Sequence, residues 1–178
     1  MKTKNYFLLI FALGLYTAAY PAGPKNNNKK NAVLEQMHWL IERTDIQSVG
    51  IGFESFCKQN DFPSVVRQLK NGIYKGASPE DDYGYHHEVT FEMKNGKMIS
   101  IDYDEIHKDG HAKQHDEEYC KRMLESGTTP AIAYPQYESQ MLEKQDFNKV
   151  DAVSGASYSL YRFRLAILYA MLNAEQLK

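Results

Sequence analysis

The chain contains 178 residues, of which 43% are hydrophobic and 25% are charged, and its formal net charge is −2 with the histidines neutral. This length favours one domain of ordinary size over two full domains. The composition excludes a disordered chain, and the slight acidic excess excludes recognition of nucleic acid or anionic lipid by a basic surface.

The N-terminal residues have the features of a targeting segment. Two lysines precede an apolar stretch over residues 6–16 that is too short to span a bilayer, and small residues follow at 17–19. This pattern is typical of a secretory signal peptide and its cleavage site. We therefore expect a signal peptide over residues 1–19, a mature chain that starts near Tyr20, and an exported protein, periplasmic or secreted. An uncleaved membrane anchor is the alternative, and the short apolar stretch argues against it.

The mature chain is expected to be mildly acidic and without a lipid anchor. Cleavage before Tyr20 leaves 19 basic and 23 acidic residues, a formal charge of −4. The two cysteines, Cys57 and Cys120, lie far from the cleavage site, so an anchor of the bacterial lipoprotein type is not expected. In an oxidising compartment the two thiols could form a disulfide or stay separate, and the sequence leaves both alternatives open.

The region before the main domain divides into two parts. Residues 20–31 are polar and of low complexity, which predicts a flexible tether. Apolar residues at helical spacing predict an amphipathic helix over 32–43, and a shorter helix is expected over 63–70. Together these form an N-terminal helical segment over 32–70, and the main domain is expected over 71–178.

The central part of the sequence has the pattern of β-structure. Apolar and polar side chains alternate over residues 89–94 and again over 99–104, and Asn95-Gly96 lies between the two runs. Asn-Gly in this position is a strong signal for a two-residue hairpin turn, because both turn residues adopt positive φ. A further short strand is expected over residues 72–76.

Helices are expected to cover this sheet. Two are predicted over residues 115–125 and 137–143, and a long C-terminal helix is predicted over 157–177, where the apolar residues lie largely along one stripe. The predicted fold class is α+β, with a central antiparallel hairpin covered by helices that include the long C-terminal one.

The segment from Asp151 to Ser159 reads as a tight turn that leads into the last helix. Gly155 permits a backbone conformation that other residues resist, and Ala156 keeps the turn uncrowded. Three hydroxyls then lie near the helix start: Ser154, Ser157 and Ser159. Free N–H groups and the helix dipole favour a phosphate at such a position, whereas simple capping of the helix is the plainer interpretation.

The whole string Asp151-x-x-Ser154-Gly155-Ala156-Ser157 resembles the flavinylation motif of the FMN-binding domain family. In that family the last hydroxyl of the motif is esterified to the phosphate of FMN by a flavin transferase that uses FAD as donor. The resemblance implies that Ser157 carries covalent FMN. The remaining cofactor-binding residues that it implies are Asp151, Ser154, Gly155, Ala156, Tyr158 and Ser159.

The resemblance extends over about residues 71–175. Residues 71–76 resemble the opening strand of that family, and 81–85 and 102–105 resemble its exported subgroup. The family includes flavin-bearing subunits of ion-pumping NADH:quinone and ferredoxin-linked oxidoreductases. The resemblance therefore implies that this chain is an exported electron-transfer protein that works between a membrane reductase and an extracytoplasmic acceptor. Serine replaces the usual threonine at the acceptor position, which leaves open a degenerate module that no longer holds flavin. A small flavin-dependent reductase with its own substrate is a further alternative, although the sequence shows no second substrate domain and no acid–base constellation.

Several other polar residues are candidates for a functional site. His107, His111 and His115 are spaced by four, but Gly110 interrupts a helix there, so no metal site is expected. Three tyrosines could flank a flavin ring, and packing at the surface or in the core is the alternative for each: Tyr83, Tyr85 and Tyr158. The acidic residues at the end of the second hairpin strand are expected to be solvated rather than to form an acid–base pair: Asp102, Asp104 and Glu105. No catalytic residue is assigned.

Overall fold

The computed structural model describes residues 29–41 and 46–176 of the chain. The helices are α1 (Lys29–Ile41), α2 (Ile46–Gln59), α3 (Phe62–Arg67), α4 (Glu117–Leu124), α5 (Pro130–Lys144) and α6 (Ser157–Gln176). The strands are β1 (Gly72–Ala77), β2 (Tyr85–Lys94) and β3 (Lys97–His107), and short 3-10 turns cover Lys113–His115 and Phe147–Lys149. The expected signal peptide lies outside the described residues.

The hairpin predicted from the sequence is confirmed. Strands β2 and β3 pair antiparallel, with Phe91 opposite Ile101, and the turn residues Asn95 and Gly96 have φ of 53° and 73°. Strand β1 pairs antiparallel with β2, which gives the sheet order β1-β2-β3. Alternate side chains of β2 are buried, as the sequence pattern requires.

Helix α6 covers the inner face of this sheet, so the predicted α+β class is confirmed. Phe163, Ile167 and Ala170 of α6 are fully buried. The helix approaches β1 so closely that a Cβ atom at Gly76 would lie 2.1 Å from the backbone nitrogen of Ala170. Glycine at position 76 is therefore what lets the helix backbone touch the strand.

The N-terminal helices belong to the same core. Phe53, Phe56 and Phe62 are buried, and the rings of Phe53 and Phe147 meet edge to face at 5.5 Å. The hydroxyl of Tyr169 on α6 donates a hydrogen bond of 2.9 Å to the carbonyl oxygen of Ile41 at the end of α1. The N-terminal helical segment thus packs on α6 as part of one hydrophobic core.

Several helix bounds differ from those predicted. Helix α1 starts at Lys29, inside the expected tether, and α2 was not predicted at all. Helix α5 starts at Pro130, seven residues before the predicted position, and the predicted helix over 115–125 is a 3-10 turn followed by α4. Cys57 in α2 and Cys120 in α4 are free thiols, which decides the open alternative against a disulfide.

Side chains of α5 and of its C-terminal cap form hydrogen bonds with part of the outer edge of β3. Gln145 accepts a hydrogen bond from the N–H of Met98 at 2.8 Å and donates one to the carbonyl oxygen of Met98 at 2.9 Å. Glu138 accepts from the N–H of Tyr103 at 2.8 Å. Gln145 ends the helix with a positive φ of 52°, which turns its side chain toward the strand.

None of the helices in the described part of the chain combines the length and apolarity needed to cross a membrane.

Candidate functional site

The loop before α6 is anchored to α5 at its first residue. The backbone N–H of Asp151 donates to Gln140 Oε1 at 2.8 Å, and Gln140 Nε2 donates back to the Asp151 carbonyl at 3.3 Å. The exposed carboxylate of Asp151 accepts from Lys144 Nζ at 2.7 Å. Lys144 also donates to the carbonyl of Lys149 at 2.8 Å, so one ammonium group ties two points of the loop to the helix.

A buried tyrosine fixes the middle of the same loop. The hydroxyl of Tyr137 donates to the carbonyl oxygen of Ala156 at 2.7 Å and accepts from the N–H of Val153 at 3.4 Å. Burial raises the pKa of this phenol above its ordinary value, so it keeps its proton at neutral pH. Because both contacts bracket the turn at Ser154 and Gly155, the hydroxyl sets the shape of that turn.

Gly155 and Ala156 are small for identifiable reasons. Gly155 has φ +80°, and a Cβ atom there would lie 2.6 Å from the carbonyl oxygen of Ser126. Ala156 is buried, and its N–H donates to the carbonyl of Val153 at 2.9 Å. A larger side chain at either position would displace the turn on which α6 begins.

Ser157 is exposed and is the first residue of α6. The first backbone hydrogen bond of the helix joins the N–H of Leu160 to the carbonyl of Ala156 at 3.3 Å. The N–H groups of residues 157–159 therefore precede the intrahelical ladder and point out of the helix start, where an anion can accept from them. Ser157 is the first residue of this group of donors.

The structure separates the remaining sequence-predicted site residues. Ser154 is exposed on the turn, and Tyr158 is 65% exposed beside Ser157. Ser159 is buried, so its hydroxyl faces the interior and is not accessible to a modifying enzyme. Ser157 and Ser154 are the two motif hydroxyls that remain at the surface.

The aromatic residues considered for the flavin ring have different environments. Tyr83 is 80% exposed and free to lie against a planar group, as is Tyr158. Tyr85 is buried, and its hydroxyl lies 3.2 Å from Asp116 Oδ2 and 3.1 Å from His111 Nε2. Tyr85 is therefore committed to the packing around the end of β3 and does not offer a ring face to a ligand.

A buried ionic cluster, which was not predicted from the sequence, lies beside the first turns of α6. Glu105 is fully buried and accepts from Lys113 Nζ at 2.5 Å and from the Tyr134 hydroxyl at 2.6 Å. Arg162, one turn along α6 from Tyr158, approaches the same carboxylate at 3.5 Å. The expectation of a solvated strand end is wrong for Glu105. Glu105 lies two residues after the inward-facing Tyr103 on β3, and this alternation was the sequence signal that Glu105 also faces inward.

The electrostatics of the cluster keep Glu105 ionised. Burial alone would raise the pKa of Glu105, but the surrounding positive groups, Lys113 and Arg162 among them, outweigh burial and lower it. Burial lowers the pKa of the neighbouring His87 to about 4, so this imidazole is neutral at pH 7. The cluster therefore joins β3, α5 and α6 beneath the helix start through charge-assisted hydrogen bonds.

A shallow groove lies at the other end of α6. It is lined by Lys75, Gly76, Ala77, Glu88, Val89, Thr90 and Asn173. Asn173 is sixteen residues after Ser157, which is about 24 Å along a helix. The groove is thus separate from the anchored loop.

The described residues define an α+β protein whose longest helix begins at an exposed hydroxyl on an anchored turn. No family model matches the chain. The chain is 36% identical over 100 residues to the 15 kDa lipoprotein of Treponema pallidum (strain Nichols), and the match covers 54% of this chain and 70% of that protein. This chain belongs to the same family as that lipoprotein.

Two solved structures are similar to this chain. The crystal structure of a Clostridium perfringens protein is 30% identical with a TM-score of 0.53, and the match covers 62% of this chain and 93% of that one. The solution structure of a Clostridium thermocellum protein is 28% identical with a TM-score of 0.39, covering 60% of this chain and 93% of that one. The described fold therefore contains nearly the whole of the Clostridium perfringens fold, together with further residues.

Proposed function

We propose that this protein is an exported electron carrier that holds FMN through a phosphoester to Ser157. The observation that carries the proposal is the position of this hydroxyl, exposed in the first turn of α6 on a loop that Tyr137, Gln140 and Lys144 hold in place. An FMN phosphate fits this site, because small residues at 155 and 156 leave room and the N–H groups of the helix start favour an anion.

The attachment step is phosphoryl transfer by a flavin transferase. The Ser157 oxygen forms a bond to the phosphorus of the FMN half of FAD, the pyrophosphate bond of FAD breaks, and AMP leaves. The serine proton passes to a base of the transferase. Asp151 has a structural part in this proposal, since its bonds to Gln140 and Lys144 present the motif in one conformation.

The bound flavin supplies one- and two-electron redox chemistry. The protein fixes the flavin at the surface, where the exposed ring of Tyr158, the residue after Ser157, can contact it. A covalent bond also prevents loss of the cofactor outside the cytoplasm, because a tethered ligand keeps a high local concentration. The redox partners are a membrane reductase and an extracytoplasmic acceptor.

Export is part of the same proposal. A relative within the family is a lipoprotein, which supports an extracytoplasmic location for this chain. Residues 1–19 have the features of a signal peptide.

The decisive experiment is co-expression of the chain with a flavin transferase in cells that supply FAD, followed by peptide mass spectrometry. We expect one FMN on the peptide that contains Ser157. Ser157→Ala should abolish covalent flavin, and Ser157→Thr should retain or increase it. Ser100→Ala is the matched control, since it removes an exposed hydroxyl outside the motif and should leave loading intact.

Two outcomes would contradict the proposal. Flavin on a peptide that lacks Ser157 would overturn the site. Complete absence of flavin from the unmutated chain would favour a module that no longer carries the cofactor. Saturable turnover of a small-molecule acceptor by the loaded protein would instead indicate a flavin-dependent reductase.

A further inference from the structure

The turn that follows β3 brings two histidines together. His107 is the last residue of β3, and its N–H donates to the carbonyl of His111 at 2.9 Å. The N–H of Gly110 donates to the carbonyl of His107 at 2.7 Å, and Gly110 has φ +94°. The chain thus folds back on itself, and the two imidazole rings lie 4.8 Å apart between centroids.

The carboxylate of Asp109 lies between these rings. Its Oδ1 atom is 2.9 Å from His107 Nδ1 and 2.5 Å from His111 Nδ1. The three residues each offer one ligand atom within 4.8 Å of the others. His107 Nδ1 is buried and, despite its distance from Asp109, makes no hydrogen bond of acceptable geometry in the described part of the chain.

The protons around Tyr85 indicate which nitrogen of His111 is free. The Asp116 carboxylate can only accept, and it lies 3.2 Å from the phenol, so the phenol proton belongs to that bond. His111 Nε2, 3.1 Å from the same oxygen, must then donate to it.

This arrangement leaves two electron-pair donors facing each other. In neutral His111 the Nε2 atom carries the proton, so the Nδ1 lone pair points at the Asp109 carboxylate. Two such donors at 2.5 Å need a cation between them, either a second proton or a metal ion. A metal-ligating histidine characteristically donates its other N–H to a fixed acceptor, and Tyr85, held by Asp116, is such an acceptor.

We propose that His107, Asp109 and His111 bind one divalent transition-metal ion, with zinc as the representative case. Ligand atoms around a tetrahedral zinc ion lie about 3.3 Å apart, given Zn–N and Zn–O distances of about 2.0–2.2 Å. The distances from Asp109 Oδ1 to the two imidazole nitrogens, 2.9 Å and 2.5 Å, are shorter than that value, and all three ligand atoms lie within 4.8 Å of one another. Small side-chain rotations on the turn would open the group to this spacing. Three protein ligands leave one coordination position open to water. The glycine that argued against a helical metal site is what makes the turn that assembles this one.

Zinc titration of the untagged protein tests the proposal. The protein is stripped with chelator, is not flavinylated, and carries no histidine tag. We expect one equivalent of Zn²⁺ to bind, measured by calorimetry and by competition with a colorimetric chelator. His111→Gln and Asp109→Asn should each weaken the affinity at least tenfold, and Tyr85→Phe should weaken it about 10-fold or more through loss of orientation. His115→Gln is the matched control, because His115 is exposed and outside the group.

Circular dichroism of each variant shows whether it has folded. Zinc binding weaker than about 100 μM to the unmutated protein, or equal affinity in His111→Gln and Asp109→Asn, would overturn the metal site. Because the measurement uses protein without flavin, its result is independent of the proposed function. Ser157→Ala should bind zinc as the unmutated chain does.

Discussion

At the scale of single residues, Gly155 meets two separate constraints. Its φ of +80° lies in the left-handed region, where a residue with a Cβ atom costs about 1–2 kcal/mol. A Cβ atom there would also lie 2.6 Å from the Ser126 carbonyl oxygen. Gly127 has a similar φ of +89°, but no atom lies within 4 Å of its potential Cβ. A substitution at Gly127 therefore measures the backbone strain alone, whereas a substitution at Gly155 measures the strain together with the steric clash.

We expect Gly155→Ala to lower the free energy of unfolding more than Gly127→Ala does. The difference should be about 1–3 kcal/mol, because overpacking adds to the strain that both variants share. Urea denaturation of the two variants measures it. Equal losses would show that the turn at Ser126 moves aside freely. If the proposed function is right, Gly155→Val should also lose flavin loading.

At the scale of elements, the contact between β1 and α6 depends on the lack of a Cβ atom at Gly76. The helix backbone at Ala170 occupies the space that a side chain at Gly76 would need. Both partners of this contact are backbone, so neither can rotate away as a flexible side chain would. The sheet and the helix must separate if position 76 carries a methyl group.

Gly76→Ala is therefore expected to destabilise the fold by about 3 kcal/mol or more, since the clash involves main-chain atoms. Lys75→Ala is the control, because Lys75 is exposed on the neighbouring position of the same strand. Thermal and urea unfolding of both variants provide the comparison. A Gly76→Ala protein as stable as the unmutated one would mean that α6 slides along β1 at little cost.

The elements also show what local pattern can and cannot predict. The hairpin was predictable because alternation and Asn95-Gly96 are both local signals. Helix α2 was missed because Gly50 and Gly52 lower helix propensity. A Cβ at Gly52 would lie 2.4 Å from Leu40 Cδ2, so the glycine that weakens the helix signal is what allows α1 and α2 to pack.

The candidate site divides in the same way. The motif over residues 151–157 was recognisable because it is contiguous. The residues that hold the motif in place are not contiguous with it. Tyr137 contacts Ala156, nineteen positions away, and Gln140 contacts Asp151, eleven positions away. No local pattern links such pairs, and the same is true of Glu105 and Arg162.

At the scale of the whole molecule, buried titratable groups link stability to pH. His87 has a folded pKa of about 4 because burial disfavours its charged form, against an ordinary value of 6.5. Below pH 6.5 the unfolded chain binds a proton that the folded chain does not, so stability falls as pH decreases toward 4. The pKa of Glu105 is lowered in the folded protein, so its charge stabilises the fold at neutral pH. This stabilisation is lost only at pH values below the ordinary pKa of a glutamate, as the pH falls through the folded pKa.

We expect the free energy of unfolding to fall by up to about 3 kcal/mol between pH 6.5 and 4 through His87. His87→Gln should flatten this part of the pH profile, and the exposed His115→Gln should not. Urea denaturation at successive pH values in the presence of a chelator measures the profiles. An unchanged slope in His87→Gln would show that this imidazole is already protonated in the folded state.

The side chain of Gln145 has a consequence for how copies of this molecule meet. Its amide both donates to and accepts from Met98, and so imitates a peptide unit of a neighbouring strand. An exposed strand edge is ordinarily a template on which another chain can add its own strand. At Met98 of β3, the side-chain amide of Gln145 already occupies the hydrogen-bonding position that an added strand would need. This part of the β3 edge is thereby protected against pairing with a strand of another copy, even where the protein is crowded.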